Sequence, residues 1–556
     1  MHHALYISEI LGTLFQYTDR RTDVACTRVC KAWTSSALDV VWERVDRLEA
    51  LFYLLGPMGR VNSDTKTAVL TLLNYHIAPD RWARFATFAE RIRHIEFRKR
   101  RTMVHHDSFS TLAISRPILN LFPNLMRITW AHDPPARSLP LSSLFLHPGV
   151  RRLSVKTNAD GFATENDLYA LDNFFTDVLF RAPHIEHLDM CSGISYRKVG
   201  PGLEAFLCGL KSLKTLVVSE SYLTSDVVIA LAQCPDLEVV RMHPPDSVHS
   251  HLEPQDPPNE MEEFMPFVHQ GAFPRIKEMA LKANLWGCTH FLQSPFPASQ
   301  LQHLHIITPH FELPADIGDF FAVLAEECPR LVYFELFVLH EDAGDDSFGP
   351  ITFDVIAPLR HLHDIEHLKL NIPSQLQMLD SNLLYVVAGW PRIRTLRLAT
   401  RFVWDSPIAP IGLDILSPIA RLCPELRSLY MFFNPYSIPV PGDDPPEAFY
   451  PFQHLERLET AVIGTRRAPA DIAGYLAQVI PPSCSIAMLP TYHIVGPAVT
   501  SLEVDTLAAV HGWIALFFEA LEMMPMLRRV HAQYQARLRS LEEQVRQLTL
   551  QAPSDT

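Results

Sequence analysis

Glycine is scarce in this chain, 21 of 556 residues, and none of it falls in a phosphate-cradling pattern. There is no GxGxxG, no GxxxxGK followed by Ser or Thr, no GxSxG and no HExxH. The common nucleotide-binding, hydrolase and zinc-protease arrangements are therefore missing. Cysteine is sparse too: nine residues spread from Cys26 to Cys484 without a CxxC pair. An odd, scattered set is what reduced, buried thiols look like, and it leads us to expect a cytoplasmic or nuclear protein. Basic residues are outnumbered by acidic ones, 48 to 62, for a formal net charge of -14. That balance argues against a nucleic-acid partner, which needs a basic face. No apolar run reaches the roughly 20 residues that span a bilayer, so no membrane partner is expected. Proline, by contrast, is abundant at 44, and 48% of the residues are hydrophobic. Such a chain turns often and packs well.

The first 46 residues carry a compact helical pattern. Ile7, Ile10, Leu11, Leu14 and Phe15 recur at three- and four-residue steps, which places them on one helix face. A polar break, Thr18-Asp19-Arg20-Arg21-Thr22, precedes a second run with Val24, Ala25, Val29, Ala32 and Trp33. A third holds Ala37, Leu38, Val41 and Trp42. Three short helices in about 40 residues bury too little apolar surface to stand alone, so a partner or the next domain must complete them.

This segment resembles an F-box. Glu9-Ile10-Leu11 and Leu14-Phe15 match the opening of that motif, Val29-Cys30-Lys31-Ala32-Trp33 its middle, and Val41-Trp42 its close. Tyr6-Ile7 departs from the Leu-Pro expected at the start, and Thr18 stands where a Leu is usual. The resemblance implies contact with Skp1 through Ile10, Leu11, Leu14, Phe15, Val29, Trp33 and Trp42, and through Skp1 with a cullin scaffold.

From residue 92 onward a short pattern, apolar-x-x-apolar-x-apolar, recurs thirteen times. Copies begin at Ile92, Leu125, Val150, Ile185, Leu213, Leu237, Ile276, Leu301, Leu331, Ile365, Ile393, Leu426 and Leu455, from 24 to 39 residues apart. Recurrence at that period is the mark of a solenoid. Apolar residues two apart, such as Leu396 and Leu398, point to one side of a strand, so each copy predicts a short strand with one buried face. Between the copies lie helical stripes. Residues 165–180 place Leu168, Leu171, Phe174, Phe175, Val178 and Leu179 on one stripe behind a Thr164 cap, and residues 316–327 repeat the arrangement with Ile317, Phe320, Phe321 and Leu324. The expected fold class is α/β: a leucine-rich-repeat solenoid with a curved parallel sheet and outer helices, preceded by the three-helix module.

Three junctions, Cys234-Pro235-Asp236-Leu237, Cys328-Pro329-Arg330-Leu331 and Cys423-Pro424-Glu425-Leu426, look like the Cys-Pro-x-Leu junction of leucine-rich repeats that accompany F-boxes. The whole layout is similar to that of fungal F-box proteins with C-terminal repeats. It implies a substrate-recognition adaptor of an SCF-type ubiquitin ligase, with no catalytic, cofactor or metal site of its own. The alternative is a repeat-only interaction scaffold.

The residues between paired apolar positions, Asp189, Arg241, His305, Glu335, Lys369, Arg397 and Tyr430, are expected in solvent on the concave face, where a protein substrate would dock. His303 with His305, and His361, His363 and His367, lack a zinc-like ligand spacing and read as repeat surface. The stretches 243–263, 340–349 and 434–448 hold thirteen carboxylates and no Lys or Arg, which predicts one acidic rim suited to a basic partner segment. Residues 513–550 read as helical with an interruption at Pro525, and Tyr534, Leu538, Leu541, Val545 and Leu548 keep a coiled-coil rhythm. The expected organisation is 1–46 F-box-like module, 47–91 helical connector, 92–489 repeats, 490–526 cap and 527–556 tail.

Overall fold

The computed structural model describes residues 6–61, 68–74, 76–98, 102–131, 135–157, 164–192, 194–243, 264–308, 312–338, 349–401, 411–433, 450–462, 468–488, 515 and 517–530, with single positions beyond. The fold is α/β, built of parallel strands that alternate with helices. The chain divides into two compact units, the second made of Ala298–Thr556 together with Leu281–Ser294 and Glu263–Met265.

Three helices open the first unit: α1 (Ser8–Gln16), α2 (Arg20–Cys26) and α3 (Lys31–Glu43). Asp19 starts α2 by accepting the Thr22 N–H at 2.7 Å, an N-cap that satisfies one of the orphan donors of the first turn. Parallel strands follow at His94–Arg98, Arg127–Ala131, Arg152–Thr157, His187–Ser192, Thr215–Val218 and Val239–Met242, each paired to the one before. The second unit repeats the plan with His303–Thr308, Tyr333–Val338, His367–Gln377, Thr395–Arg401, Ser428–Phe433 and Arg457–Val462.

Each of the thirteen sequence repeats forms a strand that starts two residues after its first apolar position. Their first apolar residues, from Ile92 to Leu455, are at most 1% exposed. The next two apolar positions turn under the sheet toward the helices. Phe334, for example, is fully buried with ring centroids 6.2 and 6.1 Å from Phe320 and Phe321 of the helix Pro314–Glu327. Burying a side chain of that size contributes about 1.5–3 kcal/mol, and stacking repeats it. The helix expected behind Thr164 forms as Glu165–Arg181. Its cap is reciprocal, since Thr164 and Asp167 each accept the other's backbone N–H.

Successive repeats are also tied by the backbone. The N–H groups of Arg394 and Thr395 both donate to the Glu366 carbonyl, at 2.7 and 3.0 Å, and Arg427 and Ser428 repeat this onto Arg394. At the junctions the cysteines are structural. Cys234 and Cys423 are fully buried, and each thiol donates weakly to two carbonyls of the preceding repeat, 3.5–3.9 Å away. Burial pushes Cys423 up to about 12 and Cys234 up to about 11, far from thiolate chemistry. Where Trp390 replaces the cysteine, its indole N–H donates to the Leu359 carbonyl at 2.8 Å, so the same contact survives the change of residue.

Three expectations need correction. The stretch 47–91 is not wholly helical: between the helices Leu48–Leu55 and Pro79–Ala89 lie the antiparallel strands Met58–Val61 and Ala68–Leu72. The pairing begins before residue 92, because Arg44–Val45 pairs with His94–Arg98; at the other end Ser485–Met488, which pairs with Arg457–Val462, lies within the expected 92–489. The helix at 517–530 runs through Pro525 without a break. Its buried Phe517, Ala520 and Met524 hold one face, and Arg528 donates to the Ile480 and Pro481 carbonyls.

Candidate functional site

The chain presents two surfaces with the chemistry of recognition. The first is the outside of the α1–α3 module. Its core is small: Leu11, Phe15 and Ala37 are buried, with Cys26, Trp33 and Val40 packed against them. Phe15 meets Trp33 edge-on, ring centroids 5.6 Å apart. Around this core the apolar side chains outnumber the places to put them. Ile7, Ile10 and Leu14 form one stripe of α1 and are 38–47% exposed, while Val24 and Val29 are 40% and 52% exposed.

The residues assigned to Skp1 contact therefore separate into two groups. Ile10, Leu14 and Val29 face solvent and are available to a partner. Leu11 and Phe15 are not: at 1% and 4% exposure they hold the three helices together. Trp33 is half-buried against Phe15. Trp42 lies on Phe88 at 4.8 Å and fastens α3 to the helix Pro79–Ala89. Alternation along α1 alone could not separate the two sides, because apolar residues stand on both. The Thr18 departure has a local cause: its hydroxyl contacts the buried Asp23 carboxylate and the Phe15 carbonyl, closing the end of α1 with polar bonds.

The second surface is, in each unit, the strand face opposite the buried apolar positions, where side chains are mostly part-buried. In the first unit Asp189 is half-buried, accepts from Ser154 Oγ at 2.8 Å and lies 3.0 Å from His243 Nε2. Burial works to raise its carboxyl, but the bonds from His243 and Ser154 outweigh that and hold it below the usual range. Arg241 is exposed and grips Glu278 with two guanidinium nitrogens.

In the second unit the register places His305, Glu335, Lys369, Arg397 and Tyr430 side by side on successive strands. Glu335 is shared by His305 at 3.9 Å and Lys369 at 3.7 Å. Lys369 also donates to the Tyr333 hydroxyl at 2.8 Å, and Tyr333 in turn donates to Glu335. Beside this row His303, Tyr333 and His367 form a ring ladder with centroids 5.9 Å apart, the two histidines flanking the tyrosine. Tyr430 is a correction. It is buried, at 4% exposure, because the Arg397 guanidinium lies over its ring, 4.3 Å from the centroid.

Among the described residues, one His/Asp group has ligand atoms within 4.8 Å of one another: His105, His106 and Asp107, at the start of the helix His106–Ser115. The three stand consecutively, a spacing that matches no familiar ligand motif. Its two histidines pair with Asp107 at 3.3 and 3.1 Å. The acidic stretches lie outside the described residues, save His243 and Gly349, as do Tyr534, Leu538, Val545 and Leu548 of the tail; Leu541 is described and exposed. No helix among the described residues is long and apolar enough to cross a membrane.

No protein-family model and no curated protein matches the chain. Among solved structures it is similar to a Rad7 and Elc1 complex in yeast, at 10% identity over 86% of this chain and 92% of that one, TM-score 0.33. It is also similar to a TLR13–ssRNA13 complex, at 11% identity over 76% and 64% of the two chains, TM-score 0.30. A protein from Bacteroides fragilis is similar at 12% identity over 61% and 76%, TM-score 0.25. The functional reading rests on this chain's own residues.

Proposed function

We propose that the chain is a substrate-recognition adaptor of an SCF-type ubiquitin ligase, working in the cytoplasm or nucleus. The α1–α3 module binds Skp1, and through it a cullin scaffold; the open sheet face binds a protein substrate. The observation that carries this is the unfinished apolar surface of the module. A helical segment with Ile10, Leu14 and Val29 left in water buries them by docking, and the Val29-Cys30-Lys31-Ala32-Trp33 text names the kind of partner. The adaptor does no chemistry itself. It holds a substrate close to a charged enzyme, and proximity alone lowers a bimolecular barrier substantially.

A second reading has its own support. Trp42 on Phe88 and the pairing of Arg44–Val45 with His94–Arg98 make the module a cap on the first repeat. A pure cap has no need of Skp1. The two separate in one experiment, co-purification of Skp1 with the full chain carrying Ile10→Glu and Leu14→Glu. Both positions are exposed, so the fold is kept while the docking stripe becomes charged. Loss of Skp1 with an unchanged circular-dichroism spectrum supports the adaptor. Absence of Skp1 from the unmodified chain, or its retention by the double variant, leaves the cap.

A further inference from the structure

Arg397 stands apart from the other charged groups of its row. Glu335 is met by Lys369 and His305, and Glu459 by Arg457 at 2.6 Å. Arg397 meets no carboxylate among the described residues, and its Nε is enclosed without any hydrogen-bond acceptor. The side chain is not adrift. Its guanidinium lies over the buried Tyr430 ring, 4.3 Å from the centroid, and Lys369 is its register partner on the neighbouring strand. A planar fork of N–H donors beside a second cation is a preformed seat for an oxyanion. In a chain of net charge -14, this seat is a local exception.

We propose that Arg397, held by Tyr430 and assisted by Lys369, is an anion-binding position of the open face, and that its ligand is an acidic side chain of a protein partner. This rests on the reading of that face as the substrate surface and adds to it the charge of the segment recognised. The carboxylate accepts from the outer N–H groups of the guanidinium and neutralises Arg397, which meets no carboxylate among the described residues. Arg241 is the internal contrast, since both of its donating nitrogens are already engaged by Glu278.

The test is fluorescence anisotropy of the full chain with a labelled octaglutamate peptide at near-physiological salt. Saturable binding is expected, weakened about tenfold by Arg397→Gln, only partly restored by Arg397→Lys, and unaltered by Arg330→Gln, an exposed junction residue outside the row. Excess glutarate should compete. Competition by inorganic phosphate at lower concentration than glutarate would make the source a phosphoryl group and overturn the assignment to an acidic side chain. Equal binding by Arg397→Gln, or binding of octalysine with none of octaglutamate, also overturns it. So does an affinity that rises when Asp443, Asp444 and Glu447 are neutralised, for then the chain's own acidic segment is the occupant. Skp1 co-purification, run in parallel on Arg397→Gln, reports the adaptor reading separately. Loss of octaglutamate with Skp1 retained supports the inference, and octaglutamate binding that depends on Arg397 without any Skp1 leaves it standing while the adaptor reading fails.

Discussion

The α1–α3 module and the repeats solve the same packing problem in opposite ways. A repeat cannot bury its apolar positions alone, and the next repeat of the same chain completes it: Leu301, Leu331, Ile365, Ile393 and Leu426 all have zero exposure. The module has no such neighbour around most of its surface. Three core residues hold it together, while Ile10, Leu14 and Val29 stay in water. The lesson is that burial separates residues that make the fold from apolar residues left at the surface, even where the sequence pattern treats them alike.

The largest effect that sharpens this contrast is in stability. Phe334→Ala, which empties the space against Phe320 and Phe321, should cost about 3–5 kcal/mol in denaturant unfolding. Leu14→Ala should change stability by no more than about 0.5 kcal/mol. If the two variants unfold at similar denaturant concentrations, the module is not the open surface that its exposures describe.

A smaller effect sits at a polar exception inside the repeats. Glu312 is 6% exposed and accepts the Leu285 N–H at 2.9 Å. Burial pushes its carboxyl up to about 7, with Asp316 adding to the rise and the Leu285 bond opposing it. An acid raised on folding binds its proton more tightly in the native state. Its contribution is therefore full below about pH 4.5 and is lost as pH rises through about 7, on the order of 2–3 kcal/mol over that window. Glu312→Gln keeps an acceptor for Leu285 and should flatten this part of the stability profile. A slope unchanged in Glu312→Gln would assign the pH dependence elsewhere.

Most of the array is legible in the sequence, because two periods suffice to define it. Residues two apart, such as Leu396 and Leu398, mark a strand, and the Thr164-to-Val178 stripe marks a helix with its cap. What the pattern could not show was which side of a symmetric apolar helix is covered. Leu11 and Leu14 are the same residue type three positions apart, one buried and one exposed, and only the packing of α3 decides between them. The short ladder strands Arg44–Val45 and Ser485–Met488 escaped for a related reason. They carry too few apolar positions for a period, and a neighbour's register creates them. Tyr430 escaped because alternation assigns it to the open face correctly but says nothing of Arg397 lying over it.

The smallest predicted effect tests a border of the repeats that shares the module's exposure to water. Residues just ahead of the strands alternate in charge: Glu186 takes Lys214 at 2.8 Å and Arg151 at 3.8 Å, and Glu238 takes Lys277 at 2.8 Å. The hydrogen bond from Lys214 holds the Glu186 carboxyl below its usual range, with Arg151 assisting and burial opposing, and Lys277 does the same for Glu238. A carboxyl lowered on folding contributes above its unfolded pKa and loses that contribution as pH falls through the folded value, so acid should release these pairs below about pH 4.5. Water and salt reach them, however, and a solvent-shared pair adds no more than about 1 kcal/mol. Glu186→Gln should accordingly lower stability at neutral pH by less than that, and the difference from the unmodified chain should vanish at pH 3 and shrink in 1 M salt, where charges are screened within about 3 Å. A loss as large as that of Phe334→Ala, or one indifferent to salt, would mean that this border is built like the repeat interior and that the division between self-completed and solvent-shared surface is drawn in the wrong place.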